Sequence, residues 1–422
     1  MADVKRTVDA IWRIESARLI AALTRIVRDV GLAEDLAQEA LVAALEQWPQ
    51  SGVPDNPGGW LMGTAKHRAI DRLRRAAVFE QKKQELGREI AIQGQVEVRD
   101  LEAEIDDPFD DDLLRLIFMT CHPVLSADAR VALTLRLLAG LTTTEIARAY
   151  LVSEATVAQR IVRAKRTLSE ARVPFVVPER DELAGRLASV LEAIYLIFNE
   201  GYAATAGEEW IRPELIEEAL RLGRILAELL PSEPEVHGLV ALMELHASRA
   251  RARIGPSGEA VLLLDQDRSR WDWLLVGRGL AALDRAQSTG GALGPYTLQA
   301  AIAACHARAR LADQTDWERI VALYDALAEL RPSPVVELNR AVAVGMAFGP
   351  AAGLELVDAV ASDPALGGYH LLPTVRGDLL AKLGRGEEAR AEFDRAVSLT
   401  RNARERAVLR ERVAACSPQN GR

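Results

Sequence analysis

The sequence predicts an all-α protein built from small helical modules. Three observations carry this expectation. Ala, Leu, Arg and Glu dominate the 422 residues, and these are strong helix formers. Aromatic residues make up only 5% of the chain, and the residues that favour strands are sparse. Apolar residues recur at helical spacing along most of the chain, interrupted by short Pro/Gly stretches. With 49% hydrophobic and 27% charged residues the composition is that of an ordinary globular chain, and the length suggests about three domains.

Residues 8–29 place Val8, Ile11, Trp12, Leu19, Ala22 and Ile26 at helical spacing, and Gly31 is expected to end that helix. A second helix, GLAEDLAQEALVAALEQW, runs until PQSGVPDNPGG breaks it. A third runs from about Trp60 to Arg75. Residues 86–112 lack periodicity and end in EAEIDDPFDDD, which reads as an acidic linker. Two further helices, 113–120 and 126–139, flank CHPVL. VPFVVP at 173–178 marks a boundary, because Pro does not continue a helix. Beyond it the helical period returns. There LYDALAELRPSP, LVDAVASDPALG and FDRAVSLTRN place Ala326, Ala359 and Ala396 close to the spacing of tetratricopeptide repeats, with irregular helical hairpins as the competing reading.

Between these parts lies the sharpest signal. Thr142 and Glu145 have the T-x-x-E spacing of a capping box, and small Ala147 suits a close helix crossing. Ser153 is placed to cap a second helix after a short turn. In that helix Val157, Ile161, Ala164 and Leu168 form an apolar stripe, while Thr156, Gln159, Arg160 and Arg163 form a second face roughly 120° away. Arg bonds guanine bidentately and Gln does the same with adenine, so this face is equipped for the major groove. The plain alternative is a helical hairpin with a solvated polar face.

Net charge is −9, which argues against a uniformly basic DNA-binding protein. Yet residues 130–172 carry Arg130, Arg136, Arg148, Arg160, Arg163, Lys165, Arg166 and Arg172 against few acids. A basic module in an acidic chain suits a protein brought to DNA by a larger partner.

LTLRLLAGLTTTEIARAYLVSEATVAQRIVRAKRTL resembles the segment of sigma factors that reads the −35 promoter element. The matching residues are Leu135-Arg136, Gly140-Leu141, Glu145-Ile146-Ala147, Thr156-Val157 and Arg163-Ala164, and Leu151 stands where many such turns carry Gly. GLAEDLAQEALVAALEQW resembles the segment that docks on the polymerase β′ clamp, with Glu34, Asp35, Gln38 and Glu39 at its acidic and amide positions. GGWLMGTAKHRAIDRLRR is similar to the −10 segment, with His67 where the family usually has Asn.

The resemblance is to the extracytoplasmic-function group of the sigma-70 family, in its subgroup with a long tetratricopeptide-like extension. It implies region 2 over 1–85, an acidic linker over 86–112, region 4 over 113–172, a helical extension over 173–290 and tetratricopeptide-like repeats over 291–422. It assigns −10 contacts to Trp60, Lys66, His67, Arg68, Asp71, Arg72, Arg74 and Arg75, with Trp60 weighted towards a core role. It assigns −35 contacts to Ser153, Thr156, Gln159, Arg160, Arg163, Lys165 and Arg166. The implied partners are core RNA polymerase, through its β′ clamp and β flap, promoter DNA, and a protein partner of the extension.

In the extension, Asn199-Glu200-Gly201-Tyr202 and Gln266-Asp267-Arg268-Ser269-Arg270-Trp271 are unusually polar and aromatic. They suit either a peptide groove or contacts to the sigma modules, against a role in capping and inter-helix hydrogen bonds. The motifs of metal, nucleotide and hydrolase sites are missing from the sequence, and Cys121 and His122 have no second pair at ligand spacing. The expectation is a cytoplasmic, non-enzymatic protein without cofactor, metal or membrane span. Two other readings are a one-component regulator with a helical sensor, which leaves the first 85 residues unexplained, and a helical-repeat scaffold, which leaves the basic face unexplained.

Overall fold

The structure is a computed structural model that describes residues 2–86, 109–150, 152–203, 211–255, 261–290, 293–400 and 402–416. Most of the expected acidic linker, and Leu151 in the turn, lie outside the described residues. Among the described residues there are 18 α-helices and no strand. They form two compact units, Met1–Ile194 and Tyr195–Arg422.

The first unit opens with α1 (Ala2–Val27), α2 (Val30–Ser51) and α3 (Pro57–Leu86). The first helix ends earlier than expected. Arg28 takes the left-handed backbone, φ 55°, and Asp29 then caps α2 by accepting from Leu32 N at 2.8 Å. Gly31 therefore lies inside α2, because a non-glycine residue makes the turn. Leu19, Ile20 and Leu23 of α1 are buried, as are Leu36, Ala40 and Trp48 of α2 and Leu61, Ala65 and Ala69 of α3. These small and branched apolar residues let the three helices pack on one another. Next come α4 (Phe109–Thr120), α5 (Ala127–Leu137), α6 (Thr143–Tyr150) and α7 (Glu154–Glu170). The division between units falls within α8 (Arg180–Tyr202), where Arg130 Nη2 of α5 donates to Glu192 Oε2 at 2.6 Å.

The second unit continues through α9 (Pro213–Leu229), α10 (Pro234–Ala247), α11 (Trp273–Ser288) and α12 (Pro295–Arg308). It ends with α13 (Trp317–Leu330), α14 (Pro334–Ala347), α15 (Pro350–Val360), α16 (Leu371–Lys382), α17 (Gly386–Leu399) and α18 (Ala403–Ala415). From α12 onwards, helices adjacent in sequence pack on each other across short connections, while α10 packs on both α11 and α12. The alanines that suggested a regular repeat are not equivalent: Ala396 is fully buried, Ala326 half-buried and Ala359 exposed. Similar local composition does not place a residue in the same packing position.

The two polar motifs are in part structural. Arg212 pairs with buried Glu200, and Arg212 N donates to the Gly201 carbonyl at 2.7 Å. A Cβ on Gly201 would stand 2.8 Å from Ile216 N, so the start of α9 needs glycine there. Buried Arg268 donates to the His306 carbonyl at 2.6 Å and also to the Ala309 carbonyl, while Asp267 caps the short 3-10 turn Arg268–Arg270.

Candidate polymerase and promoter interface

The helix-turn-helix forms as its caps dictate. Thr142 N donates to Glu145 Oε2 at 2.8 Å and Glu145 N donates to Thr142 Oγ1 at 3.1 Å, the two halves of a capping box. Burial pushes the Glu145 carboxyl up, but the bonds from Thr142 and Arg13 outweigh it and hold the group below the usual glutamate range. Ser153 caps α7, accepting from Thr156 N at 3.1 Å. The stripe Val157, Ile161, Ala164 and Leu168 is buried. On the other face Gln159 and Arg163 are exposed, and Thr156 and Arg160 are half-buried.

Three other cations of this set are held by carboxylates. Arg160 Nη2 lies 2.9 Å from Asp128 Oδ2, and Arg166 Nε lies 2.6 Å from Glu170 Oε1. Both are surface pairs of small energetic worth and are easily exchanged for phosphate. Lys165 is different, as described below. Among the described residues Arg163 has no ion-pair partner.

On α2, Asp35 is exposed and Gln38 and Glu39 are half-buried. Glu39 faces α3, where Arg68 Nη1 approaches its carboxylate at 3.2 Å and Arg72 Nη1 at 3.6 Å. The expected polymerase face and the expected −10 face therefore share an edge. Asp71, Arg72, Arg74 and Arg75 are exposed, Lys66 is half-buried, and exposed His67 donates from Nδ1 to the Gly63 carbonyl at 2.7 Å. Trp60 is half-buried, its ring edge-on to buried Trp48 with centroids 5.3 Å apart. It thus combines an anchored edge with an accessible surface.

Glu34 stands apart from its neighbours. Its side chain is buried, accepts from Arg136 Nε of α5 at 2.6 Å, and is ion-paired with Lys165 of α7. Arg136 also donates from Nη1 to the Leu141 carbonyl at 3.1 Å, bracing the turn between α5 and α6. That turn is seated on α1. Gly140 has φ 68°, and a Cβ there would stand 2.9 Å from Ser16 Oγ. Arg13 Nη2 reaches Glu145 Oε1 at 3.0 Å, and Arg25 Nε reaches buried Asp112 at 2.9 Å. The N-terminal three-helix module and the helix-turn-helix are thus packed together in a closed arrangement. Composition hinted at neither Arg13 nor Ser16 in this contact. The sequence signals for Arg136 are its place in the Leu-Arg motif and in the basic stretch 130–172.

A three-helix module with an acidic edge and a basic edge, followed by a helix-turn-helix, defines a protein of the promoter-recognition class. Residues 13–78 match the family described as Sigma-70 region 2, residues 115–168 match Sigma-70, region 4, and residues 186–287 match a family of unknown function, DUF6596. The chain belongs to the sigma-70 family, and its domains fit an extracytoplasmic-function sigma factor with a C-terminal extension. It is 46% identical over 399 residues to the uncharacterized protein R00370 of Rhizobium meliloti (strain 1021), covering 93% of this chain and 91% of that one. It is 29% identical over 170 residues to the probable ECF RNA polymerase sigma factor SigI of Mycobacterium tuberculosis (strain ATCC 25618 / H37Rv), covering 39% of this chain and 56% of that one. No solved structure matches the chain. Among the described residues no helix is long and apolar enough to cross a membrane.

Proposed function

We propose that this chain binds core RNA polymerase and directs promoter recognition and transcription initiation, with the C-terminal extension modulating that activity. The observation that carries the reading is the α7 face of Thr156, Gln159, Arg160 and Arg163, set opposite a fully buried stripe and joined in one chain to an acidic α2. Asp35, Gln38 and Glu39 are the exposed or half-exposed part of the polymerase-docking set. Glu34 joins them once Arg136 and Lys165 are given other partners. Lys66, Arg68, Arg72, Arg74 and Arg75 follow the phosphates of the opened strand near the −10 element, and Trp60 supplies a stacking surface. His67 and Asp71 lie on the same helix as those cations. On the −35 side, Gln159, Arg160 and Arg163 reach base edges, while Ser153, Thr156, Lys165 and Arg166 contact phosphate.

The closed arrangement fits a factor that reads promoters only with polymerase bound. Docking on the polymerase draws α2 and α7 apart and frees Lys165 for DNA. The test is transcription in vitro by core polymerase with the full chain on a randomised promoter library, beside promoter binding by the chain alone. Promoter-dependent initiation that requires both components supports the reading. Strong, sequence-specific binding without polymerase would make the chain a self-sufficient regulator instead. Co-purification of Asp35→Lys, Glu39→Lys with core polymerase at wild-type yield would refute the docking assignment.

A further inference from the structure

The second unit holds a cavity of about 360 Å³, within the size range of small-molecule sites. It lies among the end of α8, α10, α12, α13 and the segment around Trp271. From the two polar motifs, Asn199, Tyr202 and Trp271 line it. The walls are largely aromatic. Phe198 and Tyr202 stack with centroids 5.7 Å apart, and His246 meets the Tyr202 ring edge-on at 5.1 Å. Tyr195, Tyr324 and Trp271 complete the enclosure.

The polar groups in it are unbalanced. Arg249 lines the cavity with its Cζ 5.5 Å from the Tyr202 centroid, and among the described residues no carboxylate lies within ion-pair distance of it. Its Nη2 donates to His246 Nδ1 at 3.0 Å, so the His246 proton is on Nε2. Burial, then the nearby Arg249 and other cations, pushes His246 and His306 down and keeps both imidazoles neutral. Among the described residues, buried Trp271 Nε1 and buried His306 Nδ1 have no hydrogen-bond partner. Unmade hydrogen bonds of this kind cost free energy, and a ligand can satisfy them. Gln299, on the cavity wall, donates from Nε2 to the Pro295 carbonyl at 3.1 Å. Asn199 and Asn339 bring exposed carboxamides to the rim.

We propose that this cavity is a binding site for a small aromatic carboxylate of one or two rings, its carboxylate on Arg249 and its ring among Tyr202, Phe198 and Trp271. One guanidinium balances one negative charge and matches a planar carboxylate in bidentate geometry. Flat aromatic walls match a ring by offset stacking or edge contacts. A phosphate would bring no ring for the walls. The proposal goes beyond the promoter-reading role and does not depend on it.

The experiment is calorimetric titration of the full chain with benzoate, indole-3-carboxylate and 1-naphthoate, and with indole-3-carboxamide and inorganic phosphate as probes lacking the charge or the ring. At least one carboxylate is expected to bind one-to-one, at least about tenfold tighter than the carboxamide. Arg249→Gln is expected to erase the preference for carboxylate over carboxamide. Ala303→Phe, which fills the cavity from α12 without changing charge, is expected to abolish binding of both, with the helical signal and melting profile of each variant checked. Absence of binding by all three carboxylates, equal binding of carboxylate and carboxamide, tighter binding of phosphate, or full binding by Ala303→Phe would each overturn the proposal.

Discussion

Glu34, on the helix expected to dock on polymerase, is ion-paired with Lys165, on the helix expected to read the −35 element. The same carboxylate accepts from Arg136 Nε at 2.6 Å, so one buried acid clamps two basic residues of the helix-turn-helix module. A carboxylate with 6% of its side chain exposed is stable only because both cations accompany it.

Glu34→Gln leaves Arg136 and Lys165 facing a neutral amide. Removing one partner of a buried ion pair costs on the order of 3 kcal/mol. The loss falls on the seam between α2 and the helix-turn-helix. The variant should therefore unfold at lower urea. Without polymerase it should also bind a −35 duplex more tightly than the wild type, because Lys165 is released. Lower urea midpoint with unchanged duplex affinity would confine Glu34 to stability.

Arg163 and Gln159 are exposed on α7. Arg163→Ala should weaken −35-dependent transcription by about 1–3 kcal/mol and relax preference at one base pair. Arg166→Ala should weaken binding by a similar amount on every sequence and lower the salt slope by about one. Competition transcription on a promoter library at two salt concentrations separates these outcomes. Equal relaxation in both variants would mean that the assignments to base and phosphate are wrong.

The capping box predicts a pH-dependent contribution. Thr142→Ala should cost about 1 kcal/mol through the lost cap. The Glu145 carboxyl sits below its unfolded value, so its contribution is present above that value and fades as pH falls through the folded one. Glu145→Gln should thus cost more at pH 7 than in strong acid. Thermal melts of both proteins across that range provide the check, and a constant gap would remove the charge from the account.

In the extension, burial together with Arg249 and Arg268 lowers His306 to about 4 from 6.5. A depressed imidazole stays neutral when folded while the unfolded chain takes up the proton. Stability is therefore complete above pH 6.5 and declines as pH falls towards about 4, by about 3 kcal/mol for this group. His246, shifted in the same direction, steepens the decline. His306→Gln should make the slope shallower by about one proton in urea titrations followed by tryptophan fluorescence. An unchanged slope would mean that His306 is not held neutral.

The amino-acid sequence by itself determined the local features. The reciprocal Thr142–Glu145 bonds, the Ser153 cap, the buried stripe of α7 and its polar face all arise from groups three or four residues apart, and helical geometry alone brings these together. The family motifs were legible for the same reason, since each lies on one helix. Only the tertiary structure decided which carboxylate of α2 is buried. Glu34 and Asp35 are adjacent and chemically alike, yet one is enclosed by a cation 102 residues away and the other faces solvent. Arg13 and Glu145, 132 residues apart, likewise meet only through packing. The cavity is assembled from six separate stretches, which only the packing of the helices brings together. An ion pair across the fold, or a pocket between helices, depends on where helix faces land, and that is set by the packing of many apolar side chains at once.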